Sequence, residues 1–435
     1  MSRRRFWIYT LLFLLAAINY VDRVALSVAS KPISTEFNIS PVEMGYLFSS
    51  FLWLYLLCLI PMGIVVDRFG TRAVNAWGMA FWSFATIFTW FAWNFGSLLS
   101  TRLAMGIGES TTYPAGGRVI REWAPRGERG LATAIFNSGA YAGPAFGALF
   151  VAWLIDVFGW RGAFMAAGSV GFVWLAAWLV LYRKPEHATF IDEGERATIL
   201  GERDASVGAL AETAQSSGVA ALLRSRTMWG LALTQGCGVY TQYLFLTWLP
   251  NYLQTTKDLS IIKTGLYTAL PYAIAVVLGM FLGRLSDRML AKGGGIGEGH
   301  RRRMVVVMML GSSVILLAPI VDNIWLILAL ITISLTGIST AISLNIALLN
   351  DMLRSPQVAG KAMGILITGG NVFGILAPIV TGYVIAGTGS YNWAFVVAGL
   401  LLAAGATISL TMTRRPIETE HSLVSPSSAA PVAPV

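Results

Sequence analysis

Four ionisable residues sit inside long apolar runs of the chain: Asp22 and Arg23 in one, Arg102 and Glu109 in another. An ionised group at the centre of a bilayer costs about 2.5–3.5 kcal/mol on insertion scales, so residues kept there point to chemistry. Arg102 and Glu109 are seven positions apart. On a helix that spacing leaves them roughly 20° off a common face and about 10 Å apart along the axis. Both therefore look into the same lumen at different depths. Asp22 and Arg23 are adjacent and diverge by about 100°, so they cannot do identical work. Asn19 and Tyr20, a helical turn earlier, lay a polar stripe beside the arginine.

Two arginines facing two acids suit proton-coupled movement of an organic anion. A carboxylate in a partly dry cavity responds to desolvation and to a neighbouring arginine in opposite senses, so it can load and release a proton as either changes. Arginine stays charged, and its planar fork matches a carboxylate. The alternative is structural: Asp22 with Arg102, or Arg102 with Glu109, would form ion pairs that only lock the helices. His187, His300 and His421 all lie outside the apolar runs, so a proton relay must use carboxylates. There is no G-x-x-x-x-G-K-[ST] sequence to support ATP hydrolysis, and Gly293 to Gly297 reads as a flexible linker. Cys58 and Cys237 fall in apolar runs without disulfide or metal spacing. No cofactor or metal is expected.

The elements that must position these groups follow from composition. Of the 435 residues, 55% are hydrophobic and only 12% charged, against roughly 25% charged in a soluble domain. The net charge of +9 does not mean nucleic acid, because the bases punctuate apolar runs instead of forming a polar face. Hydropathy predicts an all-α polytopic membrane protein with twelve spans. Six run over 6–29, 43–66, 73–93, 97–120, 129–155 and 162–182. A polar segment at 183–225 follows, and six more run over 226–252, 260–286, 303–321, 324–349, 358–386 and 390–412. The start, Met-Ser-Arg-Arg-Arg, leads into an apolar stretch too long for a signal peptide and reads as a retained first span. The tail, 413–435, is Ser/Pro/Ala-rich and expected to be disordered. Most bases fall on one side, and only Lys31, Arg161, Lys257 and Lys263 on the other, which places both termini in the cytoplasm.

The two halves echo each other. Gly63-Ile-Val-Val-Asp67-Arg68-Phe-Gly70-Thr-Arg72 follows the second span, and Gly283-Arg-Leu-Ser-Asp287-Arg288 follows the eighth. Phe164-Met-Ala-Ala-Gly168 is matched by Phe395-Val-Val-Ala-Gly399. Such repeats are characteristic of secondary transporters with a midplane site between them. The G-x-x-x-D-R-x-G-x-R loop resembles the signature of the major facilitator superfamily. That resemblance implies two six-helix bundles, 1–182 and 226–412, and a loop that braces conformations without binding substrate.

Within that superfamily the chain resembles the anion:cation symporter family, in particular bacterial D-galactonate and glucarate transporters. The matching stretches are Asn19-Tyr20-Val21-Asp22-Arg23, Tyr46 to Tyr55, Arg102-x-x-x-Gly106-x-x-Glu109 with Pro114 and Trp123-x-Pro125, and Phe245 to Tyr252. The resemblance implies that Asp22 and Glu109 titrate, that Arg23 and Arg102 contact a substrate carboxylate or gate Glu109, and that Tyr55 donates a hydrogen bond. In the second half the pattern departs: Ala140 stands where a glutamine is usual, Asn371 lies a turn late, and span ten has Thr340, Ser343 and Asn345 without the usual tryptophan. Tyr20, Asn137, Gln242, Tyr243, Ser343 and Asn371 complete the expected substrate contacts. Gln235, Tyr240, Gln242 and Tyr243 could equally glue helices together. The tryptophans read mainly as interfacial anchors, with Trp248 the one candidate for more.

The resulting expectation is a proton-coupled symporter of the bacterial inner membrane. It would be a monomer among lipids and would import a small organic anion such as an aldonate or aldarate by alternating access. The same mechanism with an aromatic or dicarboxylic acid is the alternative. A drug/proton antiporter is more distant, since cations do not call for Arg23 and Arg102, and a non-transporting receptor more distant still.

Overall fold

The computed structural model describes residues 4–201, 219–292, 299–353 and 358–417, with the side chains of 126, 280 and 283–292 outside that set. Span one is Phe6–Val28, followed by a short amphipathic helix, Ser30–Phe37. Span two, Pro41–Phe69, begins with Pro41 in its first turn and a capping box between Ser40 and Glu43, which satisfies two orphaned backbone N–H groups. Gly70, with φ of +83°, turns the chain into span three, Thr71–Phe88. Span four is expected as one helix over 97–120 but is broken into Phe95–Glu109 and Thr112–Trp123. The break falls at Ser110 and Thr111, whose hydroxyls bond back to the carbonyls of Ile107 and Gly108.

Spans five and six share the helical stretch Arg129–Leu181, which at 53 residues would measure about 80 Å if straight. Gly159, at φ 70° and ψ 170°, breaks it between the two expected spans. The second half comprises Arg226–Thr255, Ile261–Lys292, His300–Ser312 continued by a 3-10 turn to Ile320, Ile324–Met352, Ala359–Thr388 and Asn392–Met412. Among the described residues, eight helical segments are long and apolar enough to cross a membrane. One of these is the double-length stretch; short span three, broken span four and polar span seven account for the rest of twelve. Ile60, Trp77, Phe146, Val173 and Ile320 are exposed around the outside, the pattern of a surface solvated by lipid.

The halves meet unevenly. The hydrogen bonds between them among the described residues gather at Arg23 and beyond it, away from the N-terminal face. Ser27 Oγ donates to the Thr247 carbonyl at 2.5 Å, and Asn251 Nδ2 donates to Ser30 Oγ at 2.8 Å. Gln254 Nε2 donates to the Val28 carbonyl and Lys31 Nζ to the Gln254 carbonyl, each at 2.9 Å. Glycines allow backbone-close crossings at the same end. A Cβ on Gly45 would sit 2.5 Å from the Pro378 carbonyl oxygen, and one on Gly382 2.5 Å from that of Pro41. The molecule is sealed on this face and opens toward the face that carries the N-terminus.

Parts of the linker and tail are more ordered than their composition suggests. A helix over 193–201 packs on the first half, where Glu195 accepts from Arg5 at 2.7 Å, and Phe190 stacks on Trp123 at 5.5 Å. The beginning of the tail is also fixed, against expectation. Ile417 is fully buried, and its N–H donates to the Met352 carbonyl at 2.8 Å, because an apolar side chain there completes the cluster around Leu348 and Leu366. Residues 418–435 lie outside the described set.

Candidate functional site

Span one enters from the N-terminal face and brings Arg23 to the middle of the molecule, where the residue is 4% exposed. Arg23 Nε donates to Oε2 of Glu109 at 3.0 Å, and Nη2 lies 2.9 Å from the same oxygen. Nη1 reaches across to the second half and donates to the Tyr243 hydroxyl at 3.0 Å. Three rings surround the cation, with centroids at 4.6 Å for Tyr20, 4.7 Å for Phe51 and 5.4 Å for Tyr55. Their negative π faces stabilise a positive charge that has lost its water.

The anticipated pairs, Asp22 with Arg102 or Arg102 with Glu109, are not the ones that form. Because Asp22 and Arg23 diverge around the helix, it is Arg23 that faces the lumen and takes Glu109. Arg102 Nη1 donates to the backbone carbonyl of Asp22 at 3.3 Å and lies 3.1 Å from the Met105 sulfur. Neither carboxylate oxygen of Asp22 has a hydrogen-bond partner among the described residues. Asp22 is 1% exposed and is turned toward the Trp82 indole of span three. The site thus holds one closed ion pair, Arg23 with Glu109, and one buried acid, Asp22, without an ion-pair partner among the described residues.

The other expected contacts divide into two groups. Tyr20, Tyr55, Arg102 and Tyr243 join Arg23 at the centre. Asn137 and Ser343 are exposed near the open side, and Ser343 Oγ is turned back to the Ser339 carbonyl at 3.0 Å. Gln242 and Asn371 are half-buried. Gln235 and Asn345 bond each other at 3.0 Å, so they tie span seven to span ten, and the Trp248 indole donates to the Pro378 carbonyl at 3.1 Å within the sealed face.

Sequence reasoning missed Phe51, whose ring lies between Arg23 and Arg102, 5.6 Å from the latter, and stacks on Tyr243. It also missed Tyr113, Tyr141 and Tyr272, which gather with Tyr20 around the same centre. Phe51 stands one turn before Tyr55 and Tyr113 one turn after Glu109, so helical spacing from the known positions could have found both.

Around the turn at Gly70, Asp67 in the last turn of span two accepts from Arg118 of span four at 2.7 Å, and Arg72 in the first turn of span three donates to the Leu179 carbonyl of span six at 2.6 Å. Arg68 stacks on Phe69, and Gly63 has open space beside it. Asp287 and Arg288 lie in the helix Ile261–Lys292, but their side chains are outside the described residues. Among the described residues, no three His, Cys, Asp or Glu side chains converge on a metal position.

Two six-span bundles around a central charged site, closed at one face and open at the other, define a multi-pass membrane carrier. The Major Facilitator Superfamily profile matches residues 12–297 and 293–434, and the chain belongs to that superfamily. It is a membrane transporter and not an enzyme. A protein of Bacillus subtilis (strain 168) named "Probable galactarate/D-glucarate transporter" is 31% identical over 426 residues, covering 95% of this chain and 92% of the relative. The "D-galactonate transporter" of Escherichia coli O6:H1 is 32% identical, covering 89% and 91%. Among solved structures, an inward-facing bacterial homologue of the human lysosomal transporter Spinster matches with a TM-score of 0.74 at 17% identity, covering 95% of this chain and 98% of that one. The inward-open xylose transporter of E. coli matches at 0.73 and 15%, covering 96% and 99%. These two share the fold.

Proposed function

We propose that this chain is a proton-coupled symporter that imports a small organic anion, a sugar acid of the aldonate or aldarate class, across the bacterial inner membrane. The observation that carries this reading is Arg23, bonded to Glu109 on one side and to Tyr243 of the opposite bundle on the other. While Glu109 is ionised it occupies the guanidinium fork that a substrate carboxylate needs. A proton on Glu109 cancels its charge and releases Arg23 to an anion, so proton and substrate load together. Substrate bound at Arg23 and Tyr243 bridges the two bundles, which rock as units 1–182 and 226–412. Asp22, with unpartnered oxygens, is the second acid able to take a proton. The basic N-terminal face is assigned to the cytoplasm, so the open face is the inner one. The names of the relatives support the sugar-acid class.

The tyrosines around Arg23 favour a second reading in which the cargo is an aromatic acid. Uptake of labelled D-galactonate into proteoliposomes, competed by unlabelled glucarate or benzoate, separates the two. In the first reading an imposed inward proton gradient accelerates uptake and glucarate competes. Uptake indifferent to the gradient overturns the coupling, and competition by benzoate alone overturns the substrate class.

A further inference from the structure

We propose that a basic cleft at the junction of spans seven and twelve binds the phosphate of an anionic phospholipid. Span twelve ends at Met412, and the chain folds back so that Ile417 pairs with Met352 at the end of span ten. This return carries Arg414 and Arg415 beside Arg224 and Arg226, which flank the Ser225 cap of span seven. Thr227 Oγ1 fastens the two ends by donating to the Arg415 carbonyl at 2.7 Å. The cleft has a volume of about 850 Å³.

Charge argues for an anion. Four guanidinium groups line the cleft, and among the described residues no carboxylate does. None of the four makes an ion pair among the described residues, which leaves their charges to solvent or a bound anion within that set. A second basic cleft, around Arg68, Arg72 and Lys184, differs: it contains Asp67, and its Arg118 is already held by Asp67 and Glu122.

Position argues for a lipid over a soluble anion. Trp229, half-exposed in the first turn of span seven, donates its indole N–H to the Leu223 carbonyl at 2.7 Å. An aromatic ring with a satisfied polar edge at a span end marks the membrane–water boundary. Leu223 and Leu410 are exposed alongside. A phospholipid lying there sets its phosphate among the arginines and an acyl chain along Trp229 and Leu410, whereas a soluble anion would use the arginines alone. Basic pockets at the ends of spans recognise headgroups in this way. Span seven carries Thr247, Asn251 and Gln254 of the sealed face at its other end, so a headgroup here holds the near end of a helix that the transport cycle must move.

The test uses the full chain in detergent, titrated with dioctanoyl phosphatidylglycerol, dioctanoyl phosphatidylcholine or inorganic phosphate and followed by thermophoresis. Phosphatidylglycerol is expected to bind and phosphatidylcholine not. Each of Arg224→Gln, Arg226→Gln, Arg414→Gln and Arg415→Gln should weaken binding about fivefold. The four changed together to Lys should retain it. The single variants keep the test readable if a fourfold Gln variant fails to fold. Equal binding of both lipids, or Gln variants that bind like the parent, would overturn the site. Inorganic phosphate binding as tightly as phosphatidylglycerol would overturn the lipid as its occupant.

Discussion

Arg23 grips a single oxygen of Glu109 with two nitrogens, at 3.0 and 2.9 Å, while the other oxygen of that carboxylate makes no hydrogen bond among the described residues. The pair is fully enclosed, so the acid neutralises a cation that has no water to fall back on. Breaking a buried pair by removing one partner costs about 3–5 kcal/mol. Glu109→Ala should therefore lower the thermal unfolding midpoint clearly. Glu109→Gln should lower it less, because its amide oxygen can still accept one hydrogen bond from Arg23 although the charge is left unpaired. Differential scanning fluorimetry of the two variants checks the ordering, and equal midpoints would contradict it.

The same substitution separates coupling from transport. With Glu109→Gln, uptake driven by a proton gradient should fall to the rate seen without one, because the residue can no longer load a proton. Exchange of labelled for unlabelled substrate at equal pH should persist. A Glu109→Gln carrier that still concentrates substrate on a pH gradient would remove Glu109 from the coupling.

Arg23→Lys tests the fork. Lysine keeps the charge but offers no planar fork, and it cannot hold Glu109 and Tyr243 in the same geometry. Substrate affinity should fall roughly tenfold or more, on the order of 1.4 kcal/mol, as read by ligand-induced shifts in unfolding temperature. Unchanged affinity would mean that charge alone is recognised.

Asn251 joins three elements on the sealed face, donating to Ser30 and accepting from the Tyr391 hydroxyl. Asn251→Ala removes the bond to Ser30, which joins the two halves only while that face is closed, whereas the bond to Tyr391 lies within the second half and is lost in both states. Losing the Ser30 bond, at about 1–2 kcal/mol, should shift the balance of the two states roughly tenfold toward the state open on this side. Spin labels at the exposed positions Thr35 and Asp322, one in each half, should then show a longer distance population by electron–electron resonance. A distribution identical to the parent would argue that these bonds do not hold the seal.

Glu36, on the short helix after span one, gives a pH prediction outside the membrane. Partial burial opposes its ionisation, but the Trp160 indole N–H at 2.7 Å and Arg161 at 2.6 Å outweigh that and hold its carboxyl below the usual 4.5. A folded-state pKa depressed in this way contributes stability above the unfolded value, lost as pH falls through the folded one. The parent should be more stable than Glu36→Gln at pH 6, with the gap closing as pH falls below 4.5 and through the depressed folded-state value. Unfolding midpoints of the two proteins across that range check it.

Much of this was legible in the sequence because a bilayer imposes simple rules. Every span needs a long apolar stretch, so the twelve spans, the break near Gly159 and the polar linker could be read from hydropathy. Asp22, Arg23, Arg102 and Glu109 stood out because charge is costly there. What hydropathy could not give was pairing. Helical periodicity fixes the direction of a side chain relative to its own axis, but not the rotation of that axis against its neighbours. The sequence therefore allowed Arg102 to pair with either acid, and only packing turned Arg23 to Glu109 and Asp22 toward Trp82. Phe51 and the tyrosines around Arg23 were missed for a related reason: an aromatic residue in an apolar run carries no cost that would mark it. The sequence determined that charges lie within the membrane. The tertiary structure decided which of them meet, because that depends on contacts between helices far apart in the chain.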